Sequence, residues 1–293
     1  MIGKMLILAI VLDSLGLAAS ETTLMYGTAY SGAHGATTLY SISPSTGAAT
    51  KVGAIGFDQV GALAFAPNGS LYGVGQNGAG KWALLKVDLI SGAGTAVGAT
   101  GLDTPFRDIA FRSDGTLFGY ASSQKTKSGL VYSLSTSTGA ATIVGNITGG
   151  VGDGAAVAFS SENVLYTVNE QGLRTISSQN AGSVTALHYR SPVGNASARA
   201  NAVKFDVNSG TLWALMGNNG AANNTYLANI DVKTGNVAAV GQTGTELRSI
   251  AVQPHLINPP GPLPSSLLFL ITGALALLGW NRWGRSSRRL LRN

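Results

Sequence analysis

Gly61-Ala62-Leu63-Ala64-Phe65-Ala66-Pro67-Asn68-Gly69-Ser70-Leu71-Tyr72-Gly73-Val74 decides how the whole chain is read. Residues 61–66 alternate in the manner of a strand, whose side chains point to opposite faces in turn. Asn68-Gly69 then reverses the chain, a strong hairpin signal because both residues tolerate φ > 0. Residues 71–74 run back, 82–88 read as a third strand, and 94–97 as a fourth after the Ser91-Gly92 turn. The same cycle recurs. An aromatic in a Leu-aromatic-small setting falls at Tyr26, Tyr72, Phe118, Tyr166 and Trp213, spaced 46, 46, 48 and 47 residues apart.

Two further landmarks keep that period. A Gly-ended turn occurs at 45–47, 90–92, 137–139, 180–182 and 233–235, and an apolar triplet precedes the aromatic at 63–65, 109–111, 157–159, 203–205 and 250–252. Short β-branched strands, four per period of about 47 residues, predict an all-β fold, a single β-propeller of four-stranded blades. The last cycle begins at Leu247 and stops at Pro254, before its second strand; the missing strand is supplied by 23–27. This predicts five blades, closed by pairing of the N- and C-terminal strands, which hides the sheet edges. An open stack of the same units is the alternative.

In such a ring the first strand of each blade lines the channel. The large residues of the triplets then pack outward, while Ala64, Ala110, Ala158, Lys204 and Ala251 face the crowded axis. Lys204 stands apart: it either reaches solvent at the channel mouth or pairs with a carboxylate, because an unpaired buried charge is costly. The segments leading into these strands carry Asp58 and Gln59, Asp103, Arg107 and Asp108, Asp153, Asn201, and Glu246 with Arg248. Loops on a rigid scaffold concentrate binding residues, so these form a candidate rim for a polar ligand such as a saccharide or a peptide. The alternative is that the charges merely pair with one another in solvent.

Composition excludes several chemistries. With no Cys among 293 residues there is no disulfide, no thiolate nucleophile and no Cys-ligated metal. His34, His188 and His255 lack metal-ligand spacing. Gly75–Gly80 is glycine-rich but joins strand to strand, without the helix N-terminus a phosphate site uses. Of the sequons at Asn68, Asn146, Asn195 and Asn223, the first is better explained by its turn. No catalytic residue, cofactor or metal site is predicted. The net charge of +6 is local: five arginines (282, 285, 288, 289 and 292) close the chain, and Lys4 offsets Asp13. What remains is 13 basic against 12 acidic residues. No nucleic-acid partner is expected from so balanced a surface.

The two ends read as addresses. Residues 1–20 have Lys4, an apolar run over 5–12 and small residues at 18–20, the layout of a secretory signal peptide. The propeller then occupies 21–254, a Pro-rich linker 255–264, a hydrophobic transmembrane or sorting helix 265–283, and an Arg-rich cytoplasmic tail 284–293. Trp280 and Trp283 anchor the apolar stretch, and the following arginines keep that end cytoplasmic. This tripartite end resembles the PEP-CTERM sorting signal. Pro262, Leu263, Pro264 and Ser265 occupy the motif position and Arg282, Arg285, Arg288 and Arg289 the basic end; Leu263 stands where Glu is usual. The resemblance covers about the last 32 residues. It implies an exosortase-type sorting protease as partner, passage through the inner membrane, and delivery to the outer surface or the extracellular polysaccharide matrix.

The body itself resembles secreted bacterial propellers with a Leu-Tyr-x-Ile…Thr-Gly…Thr-x-Val-Gly pattern, seen over 39–53 and again over 131–145. Related propellers include lactonase-like and lyase-like enzymes, whose acidic or His ligands find no match here. The expectation is therefore an exported, non-enzymatic binding or structural protein. The alternative is a hydrolase or lyase acting on a sugar or lactone through Asp103, Asp108, Asp153 and Glu246, with or without a divalent cation.

Overall fold

A computed structural model describes residues 23–32, 35–123, 128–147, 156–169, 172–176, 200–217 and 225–254. Among them lie β1 (Met25–Tyr30), β2 (Ala36–Ile42), β3 (Ala49–Phe65), β4 (Leu71–Gln76), β5 (Trp82–Val87), β6 (Gly94–Ala99), β7 (Asp108–Phe111), β8 (Leu117–Ser123) and β9 (Ser128–Leu134). They are followed by β10 (Ala141–Ile147), β11 (Ala156–Phe159), β12 (Leu165–Asn169), β13 (Gly172–Ile176), β14 (Ala200–Phe205), β15 (Leu212–Gly217), β16 (Thr225–Ile230), β17 (Val237–Gln242) and β18 (Ser249–Val252). The leader 1–20, the linker 255–264, the hydrophobic stretch 265–283 and the basic end 284–293 lie outside the described residues.

Each predicted cycle becomes an antiparallel meander. The sheets run β7 to β10, β11 to β13 and β14 to β17, and a seven-stranded sheet has the order β18-β1-β2-β3-β4-β5-β6. That last sheet is two four-stranded units sharing one long strand. β3 pairs with β2 over its first part and with β4 over its second, changing partner at Asp58, which stands opposite both Ala36 and Gln76. The sequence reading placed Asp58 and Gln59 on a loop; they lie inside β3. Gly56, at φ 81°, and the register shift between Asp58 and Ala62 let the strand turn from one sheet into the next without breaking.

The chain's first and last described strands meet in one sheet. Met25 stands opposite Val252, Tyr26 opposite Ala251, Gly27 opposite Ile250 and Thr28 opposite Ser249. Gln253 N–H donates to the Leu24 carbonyl at 2.9 Å, extending the joint. The first strand of each unit also packs on that of the next: β3 on β7, β7 on β11, β11 on β14, β14 on β18, and β18 on β3. Radial meanders around a common centre are the architecture of a β-propeller.

Burial explains why the sequence alternates poorly. β11 and β18 are buried throughout and β4 nearly so, whereas β6 and β17 have no buried residue and expose half of theirs. Both faces of each inner strand are covered by neighbouring sheets, and doubly covered strands read as continuous apolar runs. This corrects one expectation. Ala64 shares a cluster with Tyr72, Leu84, Ile109 and Leu117, and Ala158 with Leu173, Val203 and Phe205, so the crowding these alanines relieve is that of the next sheet rather than of the axis. The small residue leaves room for the large triplet residues of its neighbour.

The periodic landmarks are the joints between units. Tyr26 meets Phe65, Tyr72 meets Phe111, Phe118 meets Phe159 and Tyr166 meets Phe205, with ring centroids 5.9, 5.4, 5.4 and 5.2 Å apart and interplanar angles of 57–60°. Tilted pairs of this kind contribute about 0.5–1.5 kcal/mol each beyond burial. The fifth joint substitutes Trp213 and Val252, which share a cluster with Met25 and Ile250. The Thr-x-Val-Gly pattern also acquires a meaning. The register slips at Val52, Val97, Val144 and Val240, each one residue before a glycine. Gly53 then packs on Ser91-Gly92, Gly98 on Thr138-Gly139, and Gly241 on Thr46-Gly47, the Gly-ended turns of the next unit.

Candidate functional site

The rim residues separate into three groups. Asp103 and Lys81 form a solvated pair at 3.3 Å, with side chains 91% and 68% exposed; such a pair contributes little. Asp153 lies outside the described residues. Asn201 is in β14 rather than on a loop, its amide close to Gly217.

Asp108 is the main correction. It begins β7 and is 2% exposed, so it is a core residue and not part of an exposed rim. Its Oδ1 accepts from Ile109 N–H at 2.9 Å and its Oδ2 from Val157 N–H at 2.9 Å and from Lys204 Nζ at 2.6 Å. Lys204 Nζ also donates to the Val157 and Val203 carbonyls, both at 3.0 Å. All three ammonium hydrogens are thus used, and the pair ties β7, β11 and β14 together. Of the two fates open to Lys204 from sequence, pairing with a carboxylate is the one observed. Burial pushes the Asp108 carboxyl up and the Lys204 ammonium down, and their mutual attraction opposes both shifts.

Arg107, one residue earlier, donates its backbone N–H to the Tyr120 carbonyl at 2.8 Å. Burial pushes the Tyr120 hydroxyl up to about 12, against the pull of the Arg107 charge. Among the described residues that hydroxyl has no hydrogen-bond partner, and it lies against Gly129.

The third group is a built corner. Glu246 Oε1 meets Arg248 at 2.9 Å, both side chains 38% exposed, and the Arg248 guanidinium lies 5.3 Å from the Tyr30 ring centroid. Gln59 Nε2 donates to Gln76 Oε1 at 2.6 Å. Gln59 has φ 53°, one of two non-glycine residues with positive φ among the described residues. A non-glycine residue in that region is held there by its surroundings. The Tyr30 ring and the Gln59 carbonyl both flank Gly61, which has no side chain to separate them. Below the corner, Thr28 Oγ1 donates to the Val60 carbonyl and pairs with Ser249 Oγ, both at 2.6 Å, while Val60 N–H donates to Thr37 Oγ1 at 3.0 Å. These buried hydroxyls lock β1, β2, β3 and β18 where their ends carry the corner residues.

The sequence reading singled out Asp58, Gln59, Glu246 and Arg248 but passed over Tyr30 and Gln76. A signal was present. Each lies four residues after a landmark aromatic, Tyr26 or Tyr72, and positions i and i+4 of a strand share a face. The landmark residue seals the joint and its i+4 partner reaches the rim.

Among the described residues, no group of three or more His, Asp or Glu could hold a metal ion. No family model and no curated protein matches the chain. Solved structures similar to it include TolB from Acinetobacter baumannii, with 16% identity, a TM-score of 0.49, and coverage of 81% of this chain and 57% of that one. A chain of a nidogen/laminin complex follows, with 14% identity, a TM-score of 0.48, and coverage of 79% and 98%. The periplasmic gluconolactonase of Pseudomonas aeruginosa has 13% identity, a TM-score of 0.45, and coverage of 75% and 82%. The chain thus spans little more than half the length of TolB.

Proposed function

We propose that the chain is an exported five-bladed propeller whose rim binds a polar ligand, and that its work outside the cell is binding or structural rather than catalytic. The observation that carries the non-catalytic reading is the use made of the candidate acids. Asp103, Asp108 and Glu246 each hold a cation of their own, Lys81, Lys204 and Arg248. Each of these carboxylates already meets a cation of its own chain, so none stands as an unpaired acid or base for a substrate. For Asp108, full burial and three hydrogen-bonded partners make the role structural. The ring reading draws on the β1–β18 pairing and on the cyclic packing of first strands.

Delivery is proposed from the two ends of the sequence. Residues 1–20 export the body, and Pro262 to Ser265 with the arginines at 282, 285, 288 and 289 direct it to an exosortase-type protease. The protein is held transiently in the inner membrane and then released to the surface or the polysaccharide matrix. Deleting residues 262–293 is expected to move the protein from the membrane fraction into the medium. Identical fractionation of truncated and full-length chains removes the sorting role. The hydrolase alternative predicts that EDTA lowers the thermal midpoint and that a divalent cation restores it; an unchanged midpoint is the outcome expected here.

A further inference from the structure

We propose that the corner formed by Tyr30, Gln59, Gln76, Glu246 and Arg248 is a subsite for a neutral saccharide. This rests on the reading of the rim as a binding surface and assigns its ligand class. Three observations carry it. The first is charge. The one guanidinium of the corner is already matched by Glu246 at 2.9 Å, so an anionic sugar would have to break an ion pair to find its partner. A neutral ligand keeps the pair and uses its remaining lone pairs and N–H groups.

The second observation is the donor and acceptor set. A saccharide presents closely spaced hydroxyls, each both donor and acceptor. The paired amides Gln59 and Gln76, the Tyr30 hydroxyl and the Glu246–Arg248 pair offer the same dual capacity. Gln59 Nε2 to Gln76 Oε1 takes up one donor and one acceptor, and Gln76 Nε2 reaches the Gly80 carbonyl at 3.4 Å.

The third is preorganisation. The corner is half-buried rather than splayed into solvent, and Gln59 is fixed at φ 53° on a strand whose register slips beside it. Bulges re-aim side chains beside binding sites. The hydroxyl network of Thr28, Ser249 and Thr37 braces the strands below, and Gly61 leaves bare backbone between Tyr30 and Gln59. A polar set held in place loses less freedom on binding than mobile surface side chains do.

The test is an array of neutral gluco-, galacto- and manno-oligosaccharides beside uronate-bearing ones, probed with the full-length chain in detergent. Two conservative variants are compared, Tyr30→Phe, which removes one hydroxyl, and Gln76→Glu, which keeps the acceptor for Gln59 but replaces an amide donor. Binding to at least one neutral series is expected, weakened at least fivefold in each variant while the thermal midpoint is unchanged. The proposal is overturned if no neutral series binds, if the uronate series binds more tightly, or if both variants bind as the parent does. Fractionation of the chain truncated at 262 reads export independently, so loss of the saccharide and loss of the export reading are told apart.

Discussion

Lys204→Met is expected to lower the stability of the propeller by about 3–5 kcal/mol, the usual cost of removing one partner of a buried ion pair. For a domain of this size that is roughly 6–20 °C in Tm. The substitution nearly preserves volume, so little of the loss comes from a cavity. It comes from Asp108, 2% exposed and deprived of the ammonium 2.6 Å from its Oδ2. The pH dependence identifies the cause. Burial already pushes the Asp108 carboxyl up, and Lys204 is what opposes that shift. Without Lys204 the folded variant holds a proton that the unfolded chain releases at about pH 3.9. Between that value and the raised folded one, the native state binds more protons than the unfolded state, so stability rises as pH falls. Lys204→Met is therefore expected to regain part of its loss at pH 5 relative to pH 8. Lys204→Met with Asp108→Asn should regain part at both, since the amide keeps an acceptor for Ile109 or Val157 N–H without a charge. Thermal unfolding at the two pH values checks this. A loss under about 1 kcal/mol, or one independent of pH, means the pair is not buried and joined as described.

The pair also shows what could and could not be read from sequence. The period and the turns were legible because each repeats; four strands fill each cycle except that of β11 to β13, where three are described, and the two ends were legible because each lacks what the other supplies. Gly47, Gly92, Gly139 and Gly235 end their turns at φ 73–79°, as the Gly-ended triplets implied. The hairpin turns carry a smaller correction. Only Gly69 and Gly115 take positive φ, not the Asn68 or Asp114 before them. This is a type I turn closed by a left-handed residue, and Asn163, at φ 61°, fills that role where the sequence lacks glycine. Asp108 was misread because a single acid before an apolar strand looks like a loop charge. Its partner lies 96 residues away, at a distance no period announces. Tyr30 and Gln76 were missed for a related reason: the rim is where the units stop being alike, so a search for repeated residues passes over it.

The joint between the first and last units gives the second large effect. Gly98 and Gly241 occupy the same place in their units, one residue after a slipped valine on the outermost strand. A Cβ on Gly98 would overlap the Thr138 carbonyl oxygen, and one on Gly241 the Thr46 carbonyl oxygen. Both obstructions are backbone and cannot rotate away, so the sheets themselves must separate. Overpacking of this kind costs typically about 1–3 kcal/mol. Gly98→Ala probes a joint between consecutive units; Gly241→Ala probes the one that joins the chain's end to its beginning. In a closed wheel the two lie in equivalent surroundings, and their losses in chemical denaturation are expected to agree within about 0.5 kcal/mol. In an open stack Gly241 would sit on a free edge, where alanine costs no more than an ordinary surface change, within about 0.5 kcal/mol of zero. A large loss for Gly98→Ala beside a negligible one for Gly241→Ala would therefore open the ring. Equal losses mean that Thr46-Gly47 bears on the last unit as firmly as Thr138-Gly139 bears on Gly98, and that the rim is continuous across the seam where Glu246 and Arg248 meet Tyr30.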